Sequence, residues 1–254
     1  MPLTLVTIPC LADNYAFLIA NESGEAALVD APEAAPINAE LAARGWTLKT
    51  VLLTHHHWDH VEGLDELTGR EGLTVIGAKA DAHRLPPLSQ EVSDGENFTL
   101  LGEDVHVFDV SGHTLNHIAF YMPASKLLFT ADSLMALGCG RLFEGTPAQM
   151  HESLGKLAAL PPETLVCSGH EYTAANARFA VTVDPENTAL AQRVKDIAET
   201  RAKGEFTVPS TLALELATNP FLRASEPSVK AAIGLSGATD AESFTKLRAM
   251  KDVF

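Results

Sequence analysis

Four side chains able to ligate a transition metal stand within six residues of one another: His55, His57, Asp59 and His60, in the run Thr54-His55-His56-His57-Trp58-Asp59-His60. Imidazole nitrogen and carboxylate oxygen together suit zinc, iron or manganese, and the mixture alone does not choose among them. In an extended or looped backbone His55, His57 and Asp59 share a side while His60 points elsewhere, so one short loop can serve two adjacent metal positions. Further donors recur where apolar runs end: His113 in SGHT, Asp132 closing KLLFTAD and His170 closing TLVCSGH. A solvated histidine-rich loop would explain the first cluster, but not His or Asp at four strand–loop junctions. Of the other histidines, His106 falls inside an alternating strand and His151 inside a helix, which are structural or surface positions. His56 and His117 are placed to support the ligands.

The pattern around these residues shows what must position them. LTLVTI, YAFLIAN and EAALVDA read as strands, the last two joined by a turn at 22–24, and PINAELAARG reads as a helix ended by Gly45. LKTVLLTH is the next strand; Val51, Leu52 and Leu53 are too continuous for one wet face and imply a sheet covered on both sides. VEGLDELTGR is expected to be a helix and LTVIGA a strand. DVHVFDV, NHIAFYM and KLLFTAD follow as strands, PAQMHESLGKLAAL as a helix, and TLVCSGH closes the series. Strands outnumber helices, so a mixed α/β sandwich is expected in preference to a barrel of regular βα repeats.

The chain changes character at His170. All ten histidines lie at or before it, and residues 1–170 carry 8 basic and 22 acidic side chains against 10 and 11 in residues 171–254. Beyond it, TAANARFAVTV, NTALAQRVKDIAETRAKG, TLALELATN, SVKAAIG and DAESFTKLRAMKDVF all read as helices, punctuated at Asp184-Pro185 and Asn219-Pro220. The overall charge of −15 argues against a nucleic-acid partner, which needs clustered Lys and Arg. The start lacks a signal-peptide pattern and no run of 18 apolar residues occurs, so a cytoplasmic protein without a membrane partner is expected. Cys10, Cys139 and Cys167 form no CxxC and read as buried small hydrophobes.

The sequence resembles the hydroxyacylglutathione hydrolases (glyoxalase II) of the metallo-β-lactamase superfamily. His55, His57, Asp59 and His60 spell that superfamily's HxHxDH signature. The likeness extends from DNY at 13–15 through GCGRLFEGT at 138–146, SGHEYTAAN at 168–176 and NPFLR at 219–223 to the terminal KDVF. The resemblance implies a metallo-β-lactamase-like αββα sandwich over residues 1–170 and an all-helical domain over 171–254. It implies two divalent metal ions per chain, zinc first and iron or manganese as alternatives. One would sit on His55, His57 and His113, the other on Asp59, His60 and His170, with Asp132 and a hydroxide bridging them.

The implied reaction is hydrolysis of S-(2-hydroxyacyl)glutathione, preferably S-D-lactoylglutathione, by a monomeric enzyme. Two cations lower the pKa of a shared water and hold charge developing on the thioester carbonyl. Asp59 and Asp132 are the catalytic carboxylates, Asp59 also orienting the water. Glutathione would be bound by Arg141, Tyr172, Arg248 and Lys251, with Asn176 a weaker candidate; Arg248 and Lys251, three apart, share a helix face. Phe143 departs from the tyrosine frequent in the family, which removes a phenol hydrogen bond and leaves its place to a backbone amide or to nothing. The competing readings are a glutathione persulfide dioxygenase with a single iron, which would use fewer of these ligands, and a non-catalytic metal-stabilised binding protein.

Overall fold

In the computed structural model, which describes residues 3–254, the apolar runs of the first half become two sheets. The first joins β1 (Thr4–Cys10), β2 (Asn14–Ala20), β3 (Glu25–Val29), β4 (Thr47–Leu52), β5 (Thr74–Ala78) and β6 (Gln90–Val92) in that order. β1 to β3 pair antiparallel and β3 to β6 parallel. β7 (Asn97–Leu100), β8 (Glu103–Asp109), β9 (Ile118–Met122) and β10 (Leu127–Ala131) form an antiparallel meander in the second. Every residue of β2, β9 and β10 is buried, and the rings of Phe17 on β2 and Phe129 on β10 meet 5.8 Å apart. Each such side chain contributes about 1.5–3 kcal/mol when taken from water, so the sandwich core lies here. Val51, Leu52 and Leu53 are fully buried, as their continuity requires.

Helix α1 (Ala34–Arg44) makes the crossover between the parallel strands β3 and β4 and ends, as expected, at Gly45. That residue has φ 65°, and its amide caps the carbonyls of Leu41 and Ala42. The helix expected over 61–70 is different. One turn, α2 (Trp58–Val61), starts inside the histidine run and passes into 3-10 turns over Glu62–Glu66 and Arg70–Gly72. The Gly63 amide donates to Ala31 O, and a Cβ there would lie 2.7 Å from Ala34 N. The chain is therefore drawn onto the start of α1, too closely for a regular helix to continue.

α3 (Pro147–Ala158) begins with Pro147 and a reciprocal Thr146–Gln149 capping box. β11 (Leu134–Met135) and β12 (Gly138–Cys139) form a small hairpin, and β13 (Leu165–Ser168) pairs antiparallel with β14 (Ser210–Thr211). The five helices expected after His170 form as α4 (Thr173–Val183), α5 (Thr188–Ala202), α6 (Leu212–Thr218), α7 (Pro227–Ala232) and α8 (Asp240–Asp252). β6, β7, β14 and the β11–β12 hairpin were not expected: two to four residues are too short to show a period. The sandwich β1–β10 is thus followed by the helical region α3–α8.

Backbone contacts group the chain into two compact units. One comprises the residues up to Asp109 with Asn116–Ala131, the other Val110–Leu115 with Asp132–Phe254. The first holds β1–β10; the second holds the helical region and the stretches that carry His113 and Asp132. Among the described residues no helix is long and apolar enough to cross a membrane.

Candidate metal centre

In the first unit the site is built on the ends of β3 and β4. Asp30 follows β3 in the left-handed region, at φ 57°, and its amide donates to Leu52 O. Its carboxylate accepts from the Thr54 amide at 2.9 Å, from Thr54 Oγ1 at 2.8 Å and from His60 Nδ1 at 2.8 Å. Because the Thr54 hydroxyl gives its proton to Asp30, it accepts from His55 Nδ1, 3.0 Å away. His55 and His60 are fully buried, and each has its Nδ1 proton engaged, so in the neutral ring Nε2 is the lone-pair nitrogen. His60 Nε2 lies 3.8 Å from Asp59 Oδ2. Asn14, at the start of β2, donates to both the carbonyl and Oδ2 of Asp59.

Asp59 and His60 therefore project from the helical turn α2, with only His55–His57 in open backbone. The supporting histidines take distinct places. His117 stacks on His55 with ring centroids 4.5 Å apart, and His56 Nδ1 pairs with buried Asp81, 3.0 Å away, which also holds Arg84. Asp30, His55 and His60 bring their ligand atoms within 4.8 Å of one another.

The second unit assembles the remaining donors. His113 Nε2 lies 3.3 Å from one oxygen of Asp132 and His170 Nε2 lies 3.3 Å from the other. His113 Nδ1 donates to Arg141 O at 2.7 Å, because a carbonyl only accepts, so in the neutral ring Nε2 is the lone-pair nitrogen. An Nε2 lone pair facing a carboxylate oxygen is repulsive unless a proton or a metal ion lies between them. All three residues are buried, and imidazole and carboxylate are donor types that suit a divalent metal ion. Gly140 presses on this group: a Cβ there would lie 1.9 Å from Asp132 O.

The residues expected to hold glutathione also lie in the second unit. The Tyr172 ring stacks on His170 at 4.7 Å and the Phe143 ring meets His113 edge-on at 5.3 Å, both rings partly open to solvent. The Phe143 amide donates to His113 O. Arg141 is exposed, with Nε 3.9 Å from Asp252. Arg248 is buried: it donates to Cys139 O at 3.0 Å, pairs with Asp252 at 2.8 Å and lies over the Phe221 ring. Lys251 Nζ lies between the rings of Phe179 and Phe254, at 5.5 and 5.4 Å. Burial lowers its pKa, and Arg248, Arg178 and Arg141 add to that shift. Asn176 is buried and donates to Ala136 O.

The three cysteines form no disulfide and are buried, as expected, and burial pushes the Cys10 thiol up to about 12 and that of Cys139 to about 11. The sequence reading missed Asp30, Thr54 and Asn14. Asp30 carried a usable signal, because it follows the apolar run AALV in EAALVDA much as Asp132 closes KLLFTAD.

A two-sheet sandwich with His and Asp donors at its strand ends defines the metallo-β-lactamase superfamily, and residues 12–170 match the family model for it. Residues 171–254 match the model described as the hydroxyacylglutathione hydrolase C-terminus. A hydroxyacylglutathione hydrolase of Ruegeria pomeroyi is 63% identical over the full length of both chains, and one of Jannaschia sp. is 59% identical over 98% of each. The chain belongs to the hydroxyacylglutathione hydrolase family. Among solved structures the BLEG-1 B3 metallo-β-lactamase has a TM-score of 0.67 at 20% identity, covering 86% of this chain and 99% of its own, a likeness of fold.

Proposed function

We propose that this chain hydrolyses the thioester of S-(2-hydroxyacyl)glutathione, with S-D-lactoylglutathione preferred, to glutathione and a 2-hydroxy acid. The observation that carries the reading is Asp132, with one carboxylate oxygen toward His113 and the other toward His170. His55, His57 and His113 would hold one divalent metal and Asp59, His60 and His170 a second, with Asp132 as a further donor. Zinc suits this donor set first; iron or manganese would use the same atoms. When bound, the two ions supply an acidified water and a positive field at the thioester carbonyl.

The chain's own groups do the rest. Asp30, Thr54 and the Arg141 carbonyl fix three imidazole rings with their Nε2 lone pairs inward, so no reorientation is needed during turnover. Asn14 holds Asp59, which orients the water. Glutathione bears two carboxylates. Arg141 and Lys251 offer exposed or half-buried cations to them, and Tyr172 offers an aromatic face beside His170. The leaving thiolate needs no proton donor.

The test is steady-state turnover of S-D-lactoylglutathione by metal-loaded protein, compared with Asp132→Ala. A parent no faster than the variant ends this assignment.

A further inference from the structure

The hairpin β11–β12 has a two-residue ladder, far too short to hold itself, yet it joins Asp132 to Arg141. Its backbone is held by side chains of the helical region. Asn219 Nδ2 donates to Met135 O at 3.0 Å and to Gly138 O at 2.9 Å, which are the carbonyls of directly paired residues, so one amide clips both strands. Asn176 Nδ2 donates to Ala136 O at 3.0 Å. Glu215 Oε2 accepts from the amide of Leu137, which sits at φ 56° at the tip. Arg248 holds Cys139 O.

These holders are themselves fixed. Glu215, Asn219 and Asn176 are buried. Around Glu215 stand donors only: Arg193, Ser210, Asn219 and the Leu137 amide, a set that a carboxylate accepting on both oxygens satisfies. Asn219 Oδ1 accepts from the Phe221 amide, which fixes which end of its side chain faces the hairpin. Asn176 packs so closely on Gly138 that a Cβ there would lie 2.5 Å from its Nδ2. Just outside the hairpin, the Gly140 amide donates to Ser133 O and the Arg141 carbonyl anchors His113.

We propose that Asn176, Glu215 and Asn219 are positioning residues that set the Leu134–Cys139 hairpin and, through its two ends, the placement of Asp132 and Arg141. The helical region would then shape the reacting carboxylate's surroundings as well as supply cations to the substrate. The link to catalysis rests on the thioesterase reading; the structural half does not.

The test uses the full-length, metal-loaded chain. Asn219→Ala and Asn176→Ala remove clips from the helical side, and Gly138→Ala displaces Asn176 from the hairpin side, so the conclusion does not hang on one variant's folding. Hydrogen exchange is read over residues 134–141 and over the remote strand β2, alongside metal content, KM and kcat. The expected result is exchange at least about tenfold faster over 134–141 with β2 unchanged, metal content as in the parent, and KM raised about tenfold with a smaller fall in kcat. Exchange over 134–141 at the parent rate, or acceleration everywhere alike, overturns the proposal. Faster local exchange with parental KM and kcat overturns the link to the site. A parent without thioesterase activity is a failure of the functional reading, and the exchange arm still decides whether the clips hold the hairpin.

Discussion

His60 gives its Nδ1 proton to Asp30 across 2.8 Å, and both residues are buried at the meeting point of β3 and the histidine-bearing loop. The same carboxylate holds the Thr54 amide and hydroxyl, and Thr54 in turn holds His55. One aspartate outside the HxHxDH run thus sets the tautomer and aim of two of its rings.

Removing that carboxylate leaves three buried donors without their acceptor, each worth roughly 1–3 kcal/mol. Asp30→Ala is expected to lower the thermal midpoint. Asp30→Asn, closer in shape, is expected to weaken metal affinity by about 10- to 100-fold, the usual cost of losing such a ligand support. Competition with a chromophoric chelator measures it.

Gly140 tolerates no side chain, because the first atom added would fall on the backbone oxygen of Asp132. Gly140→Ala is expected to displace Asp132 and reduce both metal content and turnover, measured on the same preparation. A variant with parental values for both would show that the loop gives way without moving the carboxylate.

Arg248 binds Cys139 O and Asp252 at once, a fork geometry that lysine does not reproduce. Arg248→Lys is therefore expected to resemble Arg248→Ala more than the parent. Loss of these charge-assisted bonds, each worth about 1.5–3 kcal/mol, is expected to lower the stability of both variants alike. Thermal unfolding of the three proteins decides it.

Lys251 has a lowered pKa, first from burial and then from Arg248, Arg178 and Arg141, with Asp252 opposing. If its ammonium binds a substrate carboxylate, KM rises as pH climbs through that lowered value, before an ordinary lysine would titrate near 10.5. Between the two values the unfolded chain binds more protons than the native one, so Lys251's contribution to stability increases with pH there. Lys251→Met is expected to have a high KM at neutral pH and to lose this alkaline step. KM and thermal midpoint across an alkaline pH series test both parts.

Much of the molecule was legible in the order of its residues. The continuous run Val51-Leu52-Leu53 required a doubly covered strand, the 3.6-residue pattern after His170 required helices, and Gly45 marked the end of α1, because each depends on neighbours in sequence. The candidate donors stood out for a related reason: chemistry chose the residue types, and strand ends are where a sheet presents side chains to a site. The turn at Trp58 was not legible, since it depends on Gly63 lying against Glu33 and Ala34, residues thirty positions away.

By itself, then, the sequence determined the strand-then-helix order and the family, and marked the candidate donors, because these rest on local periodicity and on residue identity. Tertiary structure alone decided which proton each imidazole keeps, since that depends on acceptors brought from elsewhere: Asp30 to His60, the Arg141 carbonyl to His113. It also decided that Asn176, Glu215 and Asn219 converge on a hairpin 40 to 84 residues away in the chain. A buried backbone group must find a partner, and where the ladder is too short to provide one, the fold recruits it from whatever element happens to pass.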